Sequence, residues 1–158
     1  MSDSRVTLRP AEAGDMEFLW GLHQATMHEY VDRTWGWDAE DQRRRFVEGF
    51  DPGALRVVER DGRAIGRLSV QHRPGEIFLA SIEIAPELQN RGIATRLIGE
   101  MCAEADRRGV PVGLSVLKVN PARRLYERLG FVCVGETATH YVMRREPPRS
   151  PFPPEREP

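Results

Sequence analysis

The stretch Ile82-Glu83-Ile84-Ala85-Pro86-Glu87-Leu88-Gln89-Asn90-Arg91-Gly92-Ile93-Ala94-Thr95 decides how the rest of the chain is read. Phe78, Ala80, Ile82 and Ile84 alternate into it with the two-residue period of a strand, which puts all four on one face. Pro86 has no N–H to give to a ladder, so the strand stops there. Beyond it Ile93, Leu97, Ile98, Met101 and Ala105 recur at helical spacing, so a helix opens near Gly92. A strand, a glycine-containing turn and a helix N-terminus bring free backbone N–H groups and the positive end of the helix dipole to one point. That is an anion site, suited to phosphate. Gly92 has no Cβ to obstruct the phosphate, Ala94 is small, and Arg91 adds positive charge.

Upstream, Val6 and Leu8 share one face of a first strand, Arg5 to Arg9, which Pro10 closes. Asp15 is placed to cap a helix running to about Val31, with Phe18, Leu19, Leu22, Ala25, Thr26 and Met27 near one side. The connection Asp32-Arg33-Thr34-Trp35-Gly36-Trp37 is too aromatic for a simple linker. Asp38 with Asp41 has the spacing of a capping box and predicts a second helix from Ala39 to about Phe50. Asp51-Pro52-Gly53 breaks it. Leu55 to Glu59 and Ala64 to Gln71 flank Asp61-Gly62, the strongest hairpin turn in the chain. Arg73-Pro74-Gly75 then turns into the strand ending at Ile84.

Downstream, the helix from Gly92 to Arg108 is stopped by Gly109, and Val112 to Val116 is apolar enough for a central strand. Asn120-Pro121 supplies an N-cap and a first-turn proline for a helix to about Leu129, which Gly130 ends. Phe131 to Val134 and Thr139 to Met143 make a last strand pair.

A chain of 158 residues is one ordinary domain with room for a sizeable core. Formal net charge is −1, and Arg43-Arg44-Arg45, Arg107-Arg108 and Arg144-Arg145 are offset by nearby acids. No nucleic acid and no anionic membrane surface is expected as a partner. No apolar run reaches membrane-spanning length and Met1 to Ser4 lacks a signal core, so a cytoplasmic location is expected. Cys102 and Cys133 are expected to be reduced, buried thiols, and no cluster has metal-ligand spacing. From Pro147 the composition turns Pro- and charge-rich, which predicts one domain over 1–146 and a disordered tail over 147–158.

The pattern Gln89-x-x-Gly92-x-Ala94 after a strand resembles the acetyl-CoA signature of the GNAT superfamily, the Gcn5-related N-acetyltransferases. The block Ser115 to Phe131, with Asn120, Tyr126 and Gly130-Phe131, is similar to a second part of that family, and the element order β-α-α-β-β-β-α-β-α-β-β is a third match. The resemblance covers roughly Arg5 to Arg145. It implies an α/β (α+β) fold with a GNAT-like mixed central sheet, in which the strands Phe78–Ala85 and Val112–Val116 splay apart around the cofactor arm. It implies acetyl-CoA as cosubstrate and no metal. The cofactor residues it implies are Ile84, Gln89, Asn90, Arg91, Gly92, Ile93, Ala94 and Thr95, with Asn120 and Arg123 near the path of the arm. Tyr126 resembles the family's general acid.

Acetyl transfer to an amine needs a base, because a lysine-like amine has a pKa of about 10.4. Glu83 points away from Ile82 and Ile84 and is the first candidate, directly or through water; a solvated strand glutamate is the other reading. His72 and His140 are weaker candidates. The acceptor site implied by the family is built from the first helices and their connection. Here that means Met27, Tyr30, Trp35, Trp37 and Asp38, with His23 beside them. Aromatic rings with a carboxylate suit a cationic amine. Equally, Trp35 and Trp37 serve to cover the core, and Arg43 to Arg45 would receive an acidic substrate. The expected function is N-acetylation of a primary amine on an unknown small-molecule or peptide acceptor by direct attack on the thioester. The alternative is a non-catalytic acyl-CoA-sensing module on the same fold. A Rossmann dinucleotide enzyme is excluded, since the turn lacks Gly-x-Gly-x-x-Gly. The expected partner is an amine-bearing acceptor, and a homodimer is an assembly left open.

Overall fold

The computed structural model describes residues 5–148. Its elements are β1 (Val6–Pro10), α1 (Met16–Trp35), α2 (Ala39–Glu48), β2 (Arg56–Arg60), β3 (Arg63–Arg73), β4 (Glu76–Ile84), α3 (Ile93–Arg108), β5 (Val112–Leu117), α4 (Arg123–Arg128), β6 (Val132–Glu136) and β7 (His140–Arg145). The order expected from the sequence is the order that forms. The strands make one seven-stranded sheet, β1-β2-β3-β4-β5-β7-β6. Only the β4–β5 pair is parallel, because α3 carries the chain back between them; the other pairs are antiparallel.

Each face of the sheet has its own apolar layer. On one face the α3 stripe Ile93, Leu97, Ile98, Met101, Cys102 and Ala105 meets Ile77, Leu79, Val112 and Leu114. On the other, Leu19 and Leu22 of α1 meet Leu55 and Val57, with Phe46 of α2 packed against them.

Five expectations are corrected. The first helix runs past Val31 to Trp35, and Gly36, at φ 85°, is what stops it. Asp15 does not cap α1 through its side chain: Arg9 takes both carboxylate oxygens at 2.8 Å, and Oδ2 also accepts from the Glu12 N–H at 2.8 Å in the turn before the helix. A tight turn at Ala13–Asp15 leads into α1 instead. The regular helix after Asn120 begins only at Arg123 and is six residues long. Asn120 Oδ1 does accept from the Ala122 N–H at 2.9 Å, so it caps the turn that precedes the helix. Cys133 is exposed, because β6 is an edge strand with no residue of it buried, whereas Cys102 is buried on the core-facing side of α3 as expected. The expected tail falls almost wholly at 149–158, outside the described residues.

The fifth correction bears on the site. Phe78 and Ala80 do not share a face with Ile82 and Ile84. Ser69 pairs with Ser81 but Val70 pairs with Leu79, so Ala80 is an extra residue on β4. One inserted residue exchanges the two faces of everything beyond it. Ile77 and Leu79 face the α3 layer before the bulge, and Ile82 and Ile84 face it after. Glu83 is thereby turned to the face covered by α1.

Candidate active site

β4 and β5 pair only at Ile77–Val112, Phe78–Gly113 and Leu79–Leu114. Past that point β4 stays with β3 as far as Ile84, and β5 stays with β7 as far as Leu117. The two central strands therefore part at the bulge, and the edge of Ala80–Ile84 that faces β5 has no ladder partner there. The wedge opens into a cavity of about 600 Å³. Ile82, Glu83 and Ile84 form its floor. The turn and first residues of α3 form one wall, the segment from Asn120 through α4 a second, and Ala25 to Tyr30 of α1 a third.

The turn is shaped by its own residues. Gln89 Nε2 donates to the Ile84 carbonyl at 3.0 Å and folds the chain back over the strand end. Asn90 and Gly92 take φ of 62° and 82°, the left-handed region, which glycine enters without strain. No protein atom lies within 4 Å of where a Gly92 Cβ would sit, so the space above it is open. The first intrahelical bond runs from the Arg96 N–H to the Gly92 carbonyl. The N–H groups of Ile93, Ala94 and Thr95 thus have no partner inside the helix. Gln89, Asn90, Gly92, Ile93, Ala94 and Thr95 all line the cavity. Arg91 lies just outside, in an adjoining pocket of about 160 Å³ with Arg60 and Arg96. Phosphate groups held at the turn would find backbone donors and positive charge together.

On the facing wall Tyr126 is 7 % exposed and meets the edge of the Phe131 ring, with centroids 5.9 Å apart. Burial pushes its hydroxyl up to about 12, so at neutral pH it carries its proton. Asn120 lines the cavity as well. Arg123 does not: it pairs with Glu127 at 2.9 Å and lies over the Tyr141 ring. Arg124 and Arg128 line the cavity in its place.

Glu83 is 7 % exposed. His23 Nδ1 lies 2.9 Å from its Oε1, and Arg67 Nε lies 4.0 Å from the same oxygen. Oε2 is buried without a hydrogen-bond partner among the described residues. Buried carboxylate oxygens are rarely left unpaired, and such an orphan calls for a reason. Glu83 is among the residues that line the cavity.

Of the expected acceptor residues, Met27 and Tyr30 line the cavity on α1. Trp35, Trp37 and Asp38 do not. Trp35 stands at the end of α1, 59 % exposed, with its ring 6.0 Å from His140. Trp37 stacks on His28 at 4.4 Å and on Trp20 at 6.1 Å. Asp38 caps α2 by accepting from the Asp41 N–H. His72 lies 3.4 Å from Glu104, away from the cavity, and His140 bonds to Thr139. Sequence reasoning did not pair His23 with Glu83, nor name Thr26, Glu29, Arg124 and Arg128 for the cavity. The signal available for His23 was its place on α1 one turn before Met27 and two before Tyr30.

The fold, a mixed sheet parted at its one parallel pair, is similar to that of many solved proteins. PaiA N-acetyltransferase of Thermoplasma acidophilum, solved in complex with coenzyme A, superposes with a TM-score of 0.74 at 14 % identity, over 90 % of this chain and 99 % of that one. The ribosomal-protein-S18-alanine N-acetyltransferase of Escherichia coli gives 0.65 at 19 % identity, over 92 % and 96 %. Residues 19–131 match the family described as Acetyltransferase (GNAT) family, and the chain belongs to that family. It is also 35 % identical over 152 residues to mycothiol acetyltransferase of Thermomonospora curvata, covering 90 % of this chain and 48 % of that relative. The chain thus spans about half the length of this curated relative.

Proposed function

We propose that the protein transfers an acetyl group from acetyl-CoA to a primary amine of a small-molecule or peptide acceptor. The observation that carries this is the parting of β4 and β5 into one cavity that the anion turn, Tyr126 and Glu83 all line. The residues fit the cosubstrate. Backbone donors at Ile93 to Thr95 suit its pyrophosphate, and the unpaired edge of Ala80–Ile84 suits the amide-bearing arm. The Ile84 carbonyl is already engaged by Gln89, which leaves the amide groups of that edge for the arm.

The acceptor enters along Met27 and Tyr30. Its ammonium gives a proton to the Glu83 carboxylate. The neutral nitrogen attacks the thioester carbon; the N–C bond forms, the C–S bond breaks, and the sulfur leaves with its electron pair. Tyr126 gives its phenolic proton to that sulfur, the nitrogen gives up its second proton as it becomes an amide, and that proton restores the phenol through water while Glu83 returns its own to solvent. A thiolate is a far weaker base than the phenolate of a tyrosine held near 12, so the hydroxyl acts by hydrogen bonding as charge grows and completes the transfer as the thiol departs. The alternative of a non-catalytic CoA-sensing module gives no reason for an unpaired carboxylate oxygen beside the cavity, where desolvation is costly.

The test is release of free thiol from acetyl-CoA with a panel of amines: polyamines, amino acids, aminoglycosides, peptide N-termini and lysine peptides. The reading requires thiol release that depends on one of these amines and yields its amide. Binding of acetyl-CoA with no amine-dependent release across the panel would favour the sensing module.

A further inference from the structure

Glu83 cannot aim its own carboxylate. Its side chain leaves β4 with free torsions, and a base serves only if the accepting oxygen faces the incoming amine. Two polar groups approach Oε1. Arg67 is one, at 4.0 Å, but its guanidinium is spent on Ser81 Oγ at 3.1 and 3.3 Å and lies over the Phe46 ring. His23 is the other, and at 2.9 Å it makes the one hydrogen bond to Glu83 among the described side chains. An ionised carboxylate only accepts, so Nδ1 carries the hydrogen.

His23 is itself held on three sides. Phe46 of α2 stacks on the imidazole at 5.5 Å, with Trp20 at 6.1 Å and Trp37 at 6.4 Å. The backbone at Trp37 is fixed in turn, because its main-chain N–H donates to Asp32 Oδ1 at 3.0 Å and the next residue, Asp38, caps α2. Trp37, from the segment between the helices, thus packs with Trp20 and Phe46 around a histidine rather than lining the cavity. Such a clamp is more than core packing needs, since it fixes a polar ring whose Nδ1 meets a buried carboxylate.

From this geometry we infer that His23 is the positioning residue for Glu83: its Nδ1–H holds Oε1 and so fixes the orientation of the carboxylate that receives the acceptor's proton. The inference rests on the acetyl-transfer reading above and adds the group that makes its base work. His23 reaches the chemistry only through Glu83.

Asparagine and glutamine at position 23 separate a directed hydrogen bond from polar filling. The amide nitrogen of Asn lies where Nδ1 does on an imidazole, and that of Gln lies near Nε2. His23→Asn, His23→Gln, His23→Leu and Glu83→Gln are compared with wild type in kcat and in KM for acetyl-CoA, using the amine turned over fastest in the panel. His23→Leu is expected to lower kcat by about 10- to 100-fold, towards the Glu83→Gln level, with KM for acetyl-CoA unchanged. His23→Asn is expected to restore most of kcat and His23→Gln to remain near the leucine variant. Gln equal to or better than Asn overturns the inference, as does a leucine variant with wild-type kcat. Should leucine fail to fold, the Asn-to-Gln order alone decides. Wild type without amine-dependent thiol release would instead overturn the acetyl-transfer reading itself.

Discussion

At the scale of single residues, the proposed function gives opposite tasks to two of the ionisable groups that line the cavity. Tyr126 sits where burial keeps it protonated, and Glu83 sits where one oxygen is pinned and the other is unpaired. Removing the hydroxyl alone tests the first task. Tyr126→Phe keeps the ring against Phe131 and is expected to cost about 10²- to 10⁴-fold in turnover where chemistry limits the rate, with little change in melting temperature. Wild-type turnover would exclude the acid; a large drop in melting temperature would mark Tyr126 as packing. The same residue gives an alkaline signature. Its folded value of about 12 lies above the unfolded value, so its contribution to stability is intact below about pH 10. That contribution is lost as pH rises through about 12, because the unfolded chain ionises first. The Phe variant should lose less stability than wild type across that window in alkaline melts.

At the scale of elements, the device that makes the site is one extra residue, Ala80. It turns Glu83 toward α1, and β4 and β5 part at the same level. Periodicity announces the strand but cannot show where one residue is inserted, since both halves still alternate; that is why the sequence put Phe78 on the wrong face. The partner strand bears on the same place. β3 passes so close that a Cβ on Gly66 would lie 2.5 Å from the Glu83 carbonyl oxygen and 2.9 Å from Ile84 Cδ1. Both contacts are in the buried interior, so Gly66→Ala is expected to destabilise by about 1–3 kcal/mol and to lower kcat by displacing Glu83. Denaturant melts and turnover of the same preparation check both effects. Wild-type stability would mean that β3 gives way without cost. A second element-scale anchor is the bidentate Arg9–Asp15 pair joining β1 to the start of α1. The Arg9 guanidinium holds Asp15 down at about 2. Its contribution is therefore full above the usual carboxylate value and lost as pH falls through about 2. Asp15→Asn should lower stability at pH 7 and flatten the acid limb of a pH–melt curve; an unchanged limb would leave the pair without energetic weight.

At the scale of the whole molecule, the element order and the position of the anion turn were legible because they rest on strong local signals: Pro86, Gly92, the helical stripe to Ala105, and Asp61-Gly62 at positive φ. What sequence could not place was whatever depends on phase or on distant partners. Arg123 and Arg124 exchange roles because the helix begins three residues after Asn120 rather than at Pro121. Trp37 and Asp38 leave the cavity because α1 runs on to Trp35 and turns at Gly36. His23 and Glu83 are sixty residues apart in sequence and meet only when α1 lies across the sheet. The cosubstrate site, by contrast, is local, so its test is direct. Thermal melts with acetyl-CoA, NAD and ATP, on wild type and on Gly92→Glu, ask whether the turn holds what its geometry suits. Acetyl-CoA at one hundred times its Kd is predicted to stabilise wild type by about 2.7 kcal/mol, and the Gly92→Glu variant, with bulk and negative charge at the turn, is predicted to lose that gain. A shift with NAD and none with acetyl-CoA would contradict the account.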